Sequence, residues 1–88
     1  MKKIVSIIKP FTFTQNIFVY ENGNKIDVVS TDLDNLSKSL FELSEKYDTN
    51  EVDLIGNLKF SKGIKEKIET AEMTKYNENK LNINLTSN

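Results

Sequence analysis

The sequence predicts an α/β domain on a mixed sheet, with its elements in the order β-β-β-α-β-α-β. Three features predict it. The first 30 residues are dense in β-branched and aromatic side chains and contain an Asn22-Gly23 step, a leucine repeat at helical spacing follows, and the final residues alternate strictly between apolar and polar. A period of two marks a strand and a period of 3.6 marks a helix, so the chain opens in strands and then alternates helix with strand.

Met1 to Thr14 carries Ile4, Val5, Ile7, Ile8, Phe11, Thr12, Phe13 and Thr14 around a single proline, Pro10. Proline has no N–H for a ladder, so Pro10 is expected at a bulge or an outward-facing position. The opening Met1-Lys2-Lys3 and its apolar run imitate a secretory leader, but the run stops at Lys9-Pro10, short of the roughly 7 to 15 apolar residues a leader needs. Asn16 to Glu21 continues in strand style. Asn22-Gly23 then calls for a type I′ hairpin, which needs φ > 0 at both central residues, and Lys25 to Ser30 returns as a third strand.

Thr31 is expected to cap the first helix, with Asp32 and Asp34 in its first turn facing the positive end of the macrodipole. Leu33, Leu36, Leu40, Leu43 and Tyr47 line one face at spacings of three and four. Glu51 to Gly56 is a short strand. Ser61 is the expected cap of a second helix, on which Phe60, Ile64, Ile68 and Ala71 fall within about 80° at 100° per residue. That helix is expected to fray near Tyr76 to Asn79, and Leu81, Ile83 and Leu85 then mark one face of an edge strand over Lys80 to Thr86. Both strand-helix-strand steps should be right-handed and give parallel neighbours.

The 88 residues have room for one core, residues 1–88. A domain this size buries only roughly 60 to 65% of the surface its unfolded chain exposes, which favours a partner subunit. With 38% apolar and 28% charged residues, the chain is expected to fold in water, and no membrane segment or lipid anchor is apparent. Cytoplasmic residence follows as an expectation. Cys, His, Trp and Arg are all absent. Their absence removes thiol nucleophiles, disulfides, imidazole bases and the usual zinc ligands, and it removes the guanidinium that reads guanine and phosphate. A formal charge of −1 gives no whole-molecule attraction to a polyanion, so nucleic acid is not the expected ligand.

A three-stranded meander followed by helix, strand, helix and strand resembles the ribonuclease H-like fold in a minimal form, by element order and over nearly the whole chain. The segment Val52-Asp53-Leu54-Ile55-Gly56-Asn57, with the helix, Tyr76 and the last strand after it, is also similar to small uncharacterised phage proteins. The abundance of Lys, Asn and Ile fits an AT-rich genome of bacterial or phage type. The resemblance implies a metal-dependent nuclease with carboxylates in the first strand, the first helix and the end of the fourth strand, holding two Mg²⁺ ions. Met1 to Tyr20 contains no Asp or Glu, and the fourth strand ends in Ile55-Gly56-Asn57, which leaves only Glu42 and Asp53 near those places. No catalytic residue, metal ligand or cofactor is therefore expected.

Two candidate surfaces remain. Gly56 to Gly63 joins a strand to a helix, the setting of an anion-binding turn, and Lys59, Lys62 and Ser61 are its candidate ligands; the structural alternative is a tight turn with Gly63 letting the helix approach the sheet. Lys65 and Lys67 add charge, but Glu66, Glu69 and Glu72 pair with it along a solvated face. Phe11, Phe13, Phe18 and Tyr20 could stack bases, although alternation more often aims such rings at a core. Together with Leu81, Ile83 and Leu85 they are more apolar surface than two thin helices cover, so one sheet face is expected to stay open as a docking surface for another copy or another protein.

Overall fold

In the computed structural model, which describes residues 1–75 and 80–87, the first 32 residues form the expected meander. Strand β1 (Lys2–Ile7) pairs antiparallel with β2 (Thr14–Glu21), and β2 pairs antiparallel with β3 (Asn24–Asp32). Asn22 and Gly23 take φ of 53° and 84°, the left-handed conformations a two-residue hairpin requires. Helix α1 (Leu36–Tyr47), strand β4 (Glu51–Ile55), helix α2 (Leu58–Lys75) and strand β5 (Asn82–Thr86) follow. The result is one five-stranded mixed sheet in the order β3-β2-β1-β4-β5, with β4 parallel to both β1 and β5.

Both crossovers move the chain in the same direction across the sheet, so right-handed connections put both helices on one face. Burial agrees. Ile4 and Ile8, Ile17 and Val19, Val52 and Leu54, and Ile83 meet Leu36, Leu40, Phe41 and Leu43 of α1 and Ile68 of α2 in one core, with Phe60, Ile64, Ala71 and Leu85 packed against it. The intervening residues of each strand face the other way, and among the described residues no element covers that face.

Several local expectations are corrected. Met1 to Thr14 is not one strand: β1 stops at Ile7, and residues 8–13 form a connection containing Pro10. Phe11 sits there at φ 66°, and the connection is held from beneath by the fully buried Gln15. Its carboxamide accepts the Lys9 N–H at 2.8 Å and donates to the carbonyls of Lys9 and Thr12, each at 2.9 Å.

Thr31 does not cap α1. The ladder with β2 runs on through Gln15↔Thr31 and Thr14↔Asp32, which keeps both residues in the sheet. Asp32 instead closes a turn, its Oδ1 accepting the N–H and the side-chain amide of Asn35 at 2.8 and 2.9 Å. Asn35 occupies the cap position and the first turn of α1 carries no acid. Ser61 does not cap α2 either, because Asn57 does so by accepting the Phe60 N–H at 3.0 Å.

Gly63 is exposed, with open space where a Cβ would stand. The close approach belongs to Gly56, at φ 156°, where a Cβ would lie 2.7 Å from the Ile8 carbonyl oxygen. The expected fraying at Tyr76 to Asn79 lies outside the described residues.

Candidate interaction surface

The uncovered face is ordered by the sheet register. One row runs Lys25, Tyr20, Lys3 across β3, β2 and β1, and the next runs Val28, Phe18, Val5, Asp53, Asn84 across all five strands. Beside them Asn16, Ile7, Ile55 and Thr86 form a third. Antiparallel and parallel pairing alike put cross-strand partners on the same side, so this face has an aromatic and aliphatic half on β3, β2 and β1, extended onto β4 by Ile55, and a polar half made by the remaining residues of β4 and β5.

Within the apolar half, the Phe18 and Tyr20 rings lie 6.5 Å apart, tilted, and the Lys25 ammonium stands 5.5 Å over the Phe18 ring. Val28 is about half exposed, at 52%. The polar half is tied by its own contacts. Asp53 pairs with Lys3 at 3.0 Å and accepts from Asn84 at 3.4 Å, while Glu51 accepts from Asn82 at 2.8 Å. These rungs fix the carboxylates where they stand and set a polar border beside the apolar strip.

The residues expected to form one docking surface separate into three places. Phe18 and Tyr20 are on the open face and are not part of the buried core. Phe11 and Phe13 project from the β1–β2 connection and are fully exposed. Leu81, Ile83 and Leu85 point the other way: Val52↔Ile83 and Leu54↔Leu85 pairing puts them on the helix-covered face, where Leu81 and Ile83 are buried. Val5, Ile7, Val28 and Ile55 complete the open surface and were not singled out in the sequence. Apolar residues on both sides of β1, β3 and β4 were the signal for them.

The candidate anion ligands do not converge. Lys59 and Lys62 are exposed on the first turns of α2, beside a shallow depression of about 390 Å³ lined by Asn57, Lys59, Phe60, Gly63 and Ile64. Ser61 is fully buried beneath the helix, and its hydroxyl has no hydrogen-bond partner among the described residues. Glu42 and Asp53 are also apart. Glu42 is exposed on α1 and pairs with Lys38 at 4.0 Å, whereas Asp53 is on the sheet face that α1 does not touch. Among the described residues no group of three or more acidic side chains is placed to hold a metal ion, and no helix is long and apolar enough to cross a membrane.

One polar cluster escaped sequence reasoning altogether. Asp27, on the helix-covered side of edge strand β3, accepts a hydrogen bond from the Tyr47 hydroxyl, pairs with Lys46 at 3.6 Å, and accepts the Val28 N–H at 2.8 Å. The Tyr47 hydroxyl foremost, then the Val28 N–H, hold Asp27 below the ordinary aspartate range, with Lys46 helping against the opposing effect of burial. Tyr47 is pushed up in turn, first by its hydrogen bond to Asp27 and then by burial.

Compared with known families, curated proteins and solved structures, the chain shows no match.

Proposed function

We propose that the protein is a non-catalytic interaction module, an adaptor or inhibitor on a minimal ribonuclease H-like scaffold, which binds a protein partner or a second copy through its open sheet face. The observation that carries this reading is the uncovered strip of Val5, Ile7, Phe18, Tyr20, Val28 and Ile55. Apolar and aromatic side chains in a contiguous patch with a polar border have the make-up of a protein-binding surface. The scaffold assignment is supported by element order, and the non-catalytic part by the separation of Glu42 from Asp53 and by the engagement of Asp53 with Lys3. A phage or bacterial origin and a cytoplasmic setting complete the proposal.

Sedimentation velocity and native mass spectrometry at micromolar concentration test it, comparing the wild-type chain with Phe18→Asp. The expected result is self-association, or capture of a protein partner, that Phe18→Asp abolishes while far-UV circular dichroism is unchanged. A strict monomer with no partner dependent on Phe18 overturns it. Metal-dependent cleavage of nucleic acid that Asp53→Asn abolishes would overturn the non-catalytic part.

One observation favours a second reading, a binder of single-stranded nucleic acid or a degraded nuclease. The Lys25 ammonium over Phe18, with Tyr20 alongside, is a stacking platform with a cation at its edge. Binding of single-stranded probes that survives moderate salt would promote that reading over the first.

A further inference from the structure

The free edge of a sheet invites another strand, because alternate residues of an edge strand turn their N–H and C=O groups away from their neighbour. Among the described residues strand β3 is the longest strand, has β2 on one side only, and carries exposed Ile26 and Val28. On these features alone it is the natural place for a second copy to add antiparallel. Its hydrogen bonding says otherwise. The Val28 N–H is spent on the carboxylate of Asp27, the preceding residue, rather than offered to a newcomer.

From these contacts we infer that Asp27 guards the β3 edge, blocking strand addition by a second copy of this chain. Oδ1 of the carboxylate takes the Val28 amide, and Oδ2 is held by the Tyr47 hydroxyl and the Lys46 ammonium at the end of α1. The helix therefore holds the guard in position across the edge. Two further features act in the same direction. The register slips between Val19 and Tyr20, so that Ile26 is an extra residue in β3 beside Asp27, and such a bulge twists an edge away from flat pairing. The Lys46 ammonium leaves a charge at the place where an incoming strand would have to lose its water. This guard stands apart from the open-face reading, since it concerns the edge of the sheet and closes it.

The test compares Asp27→Ala with Asp27→Asn by sedimentation velocity over a wide concentration range, each also combined with Phe18→Asp to remove any contribution of the open face. Asn keeps an oxygen that can accept the Val28 N–H; Ala does not. The expected result is that Asp27→Ala self-associates about tenfold or more tightly than wild type, the scale of one charge-assisted hydrogen bond, and still does so in the Phe18→Asp background, whereas Asp27→Asn behaves as wild type. Equal behaviour of Asp27→Ala and wild type overturns the inference, and so does association of Asp27→Ala that Phe18→Asp abolishes. Should Asp27→Ala fail to fold, amide exchange of the wild-type protein decides: Val28 is expected to exchange about tenfold or more slowly than in an unstructured chain, and unprotected exchange there overturns the guard.

Discussion

At the scale of single residues, the positions that organise the chain include two fully buried polar side chains, Gln15 and Ser61. Gln15 is the plainest case. Its carboxamide satisfies one N–H and two carbonyls of the β1–β2 connection, so replacing it leaves those groups unpaired at a cost of about 1–3 kcal/mol. Gln15→Leu is expected to lower stability by about 2 kcal/mol in urea unfolding and to loosen residues 9–13. A loss under about 0.5 kcal/mol would mean that the connection holds itself. Ser61 presents the opposite case. Its hydroxyl is buried in a helix without a partner among the described residues, and Ala is the better helix former, so Ser61→Ala is expected to raise stability by about 1 kcal/mol. A fall in the urea midpoint would show that the hydroxyl has a partner. Neither role was legible in the sequence, because burial of a polar side chain is decided by what the rest of the chain places over it. Ser61 looked like a cap and turned out to be part of the core face.

At the scale of elements, the sequence was most informative where local chemistry has few solutions. Asn22-Gly23 specified its turn, and Leu36, Leu40 and Leu43 specified the buried face of α1. It was least informative at boundaries, where two local preferences compete. Thr31 and Asp32 carry a helix-start signature, yet β2 offers them ladder partners, and a non-local ladder is invisible to a local pattern. Gly56 and Gly63 show the same limit: one is required by a carbonyl far away in sequence, the other by nothing in its surroundings. Gly56→Ala is expected to cost at least about 2 kcal/mol, since the added carbon meets backbone at a φ that suits glycine; thermal unfolding reads it, and an unchanged midpoint would refute the close approach.

The α1–β3 contact predicts a pH dependence of defined sign. Asp27 has a lowered folded value, so its contribution is complete above the unfolded aspartate value of about 3.9 and is lost as pH falls below it; Tyr47 has a raised value, so its contribution is complete below about 10 and is lost as pH climbs through the folded value. Melting temperatures of Tyr47→Phe should therefore fall less steeply than those of wild type at both extremes. Parallel acid limbs would show that Asp27 owes little to Tyr47.

At the scale of the whole molecule, the helices cover one side of the sheet and the core depends on a few large side chains. Phe41, fully enclosed between α1 and the sheet, was absent from the predicted leucine stripe, because on a helical wheel it sits beside Leu40 and widens the buried face rather than continuing its rhythm. Phe41→Ala is expected to cost about 3–5 kcal/mol, against a total of about 5–15 for a domain. For a chain of this length that is a fall in melting temperature of at least about 12 °C. A fall under about 4 °C would mean that the core closes over the gap.

The place of β1 at the centre of the sheet bears on how the chain is made. Ile4 faces Val52, 48 positions later, so β1 waits for β4 to be synthesised before its second side is satisfied. Until then the hairpin of β1, β2 and β3 has no helix over its apolar residues, and closing so wide a loop is slow. The nascent meander is thus the stage at which this protein most needs shielding, by a chaperone or by the speed of its own translation.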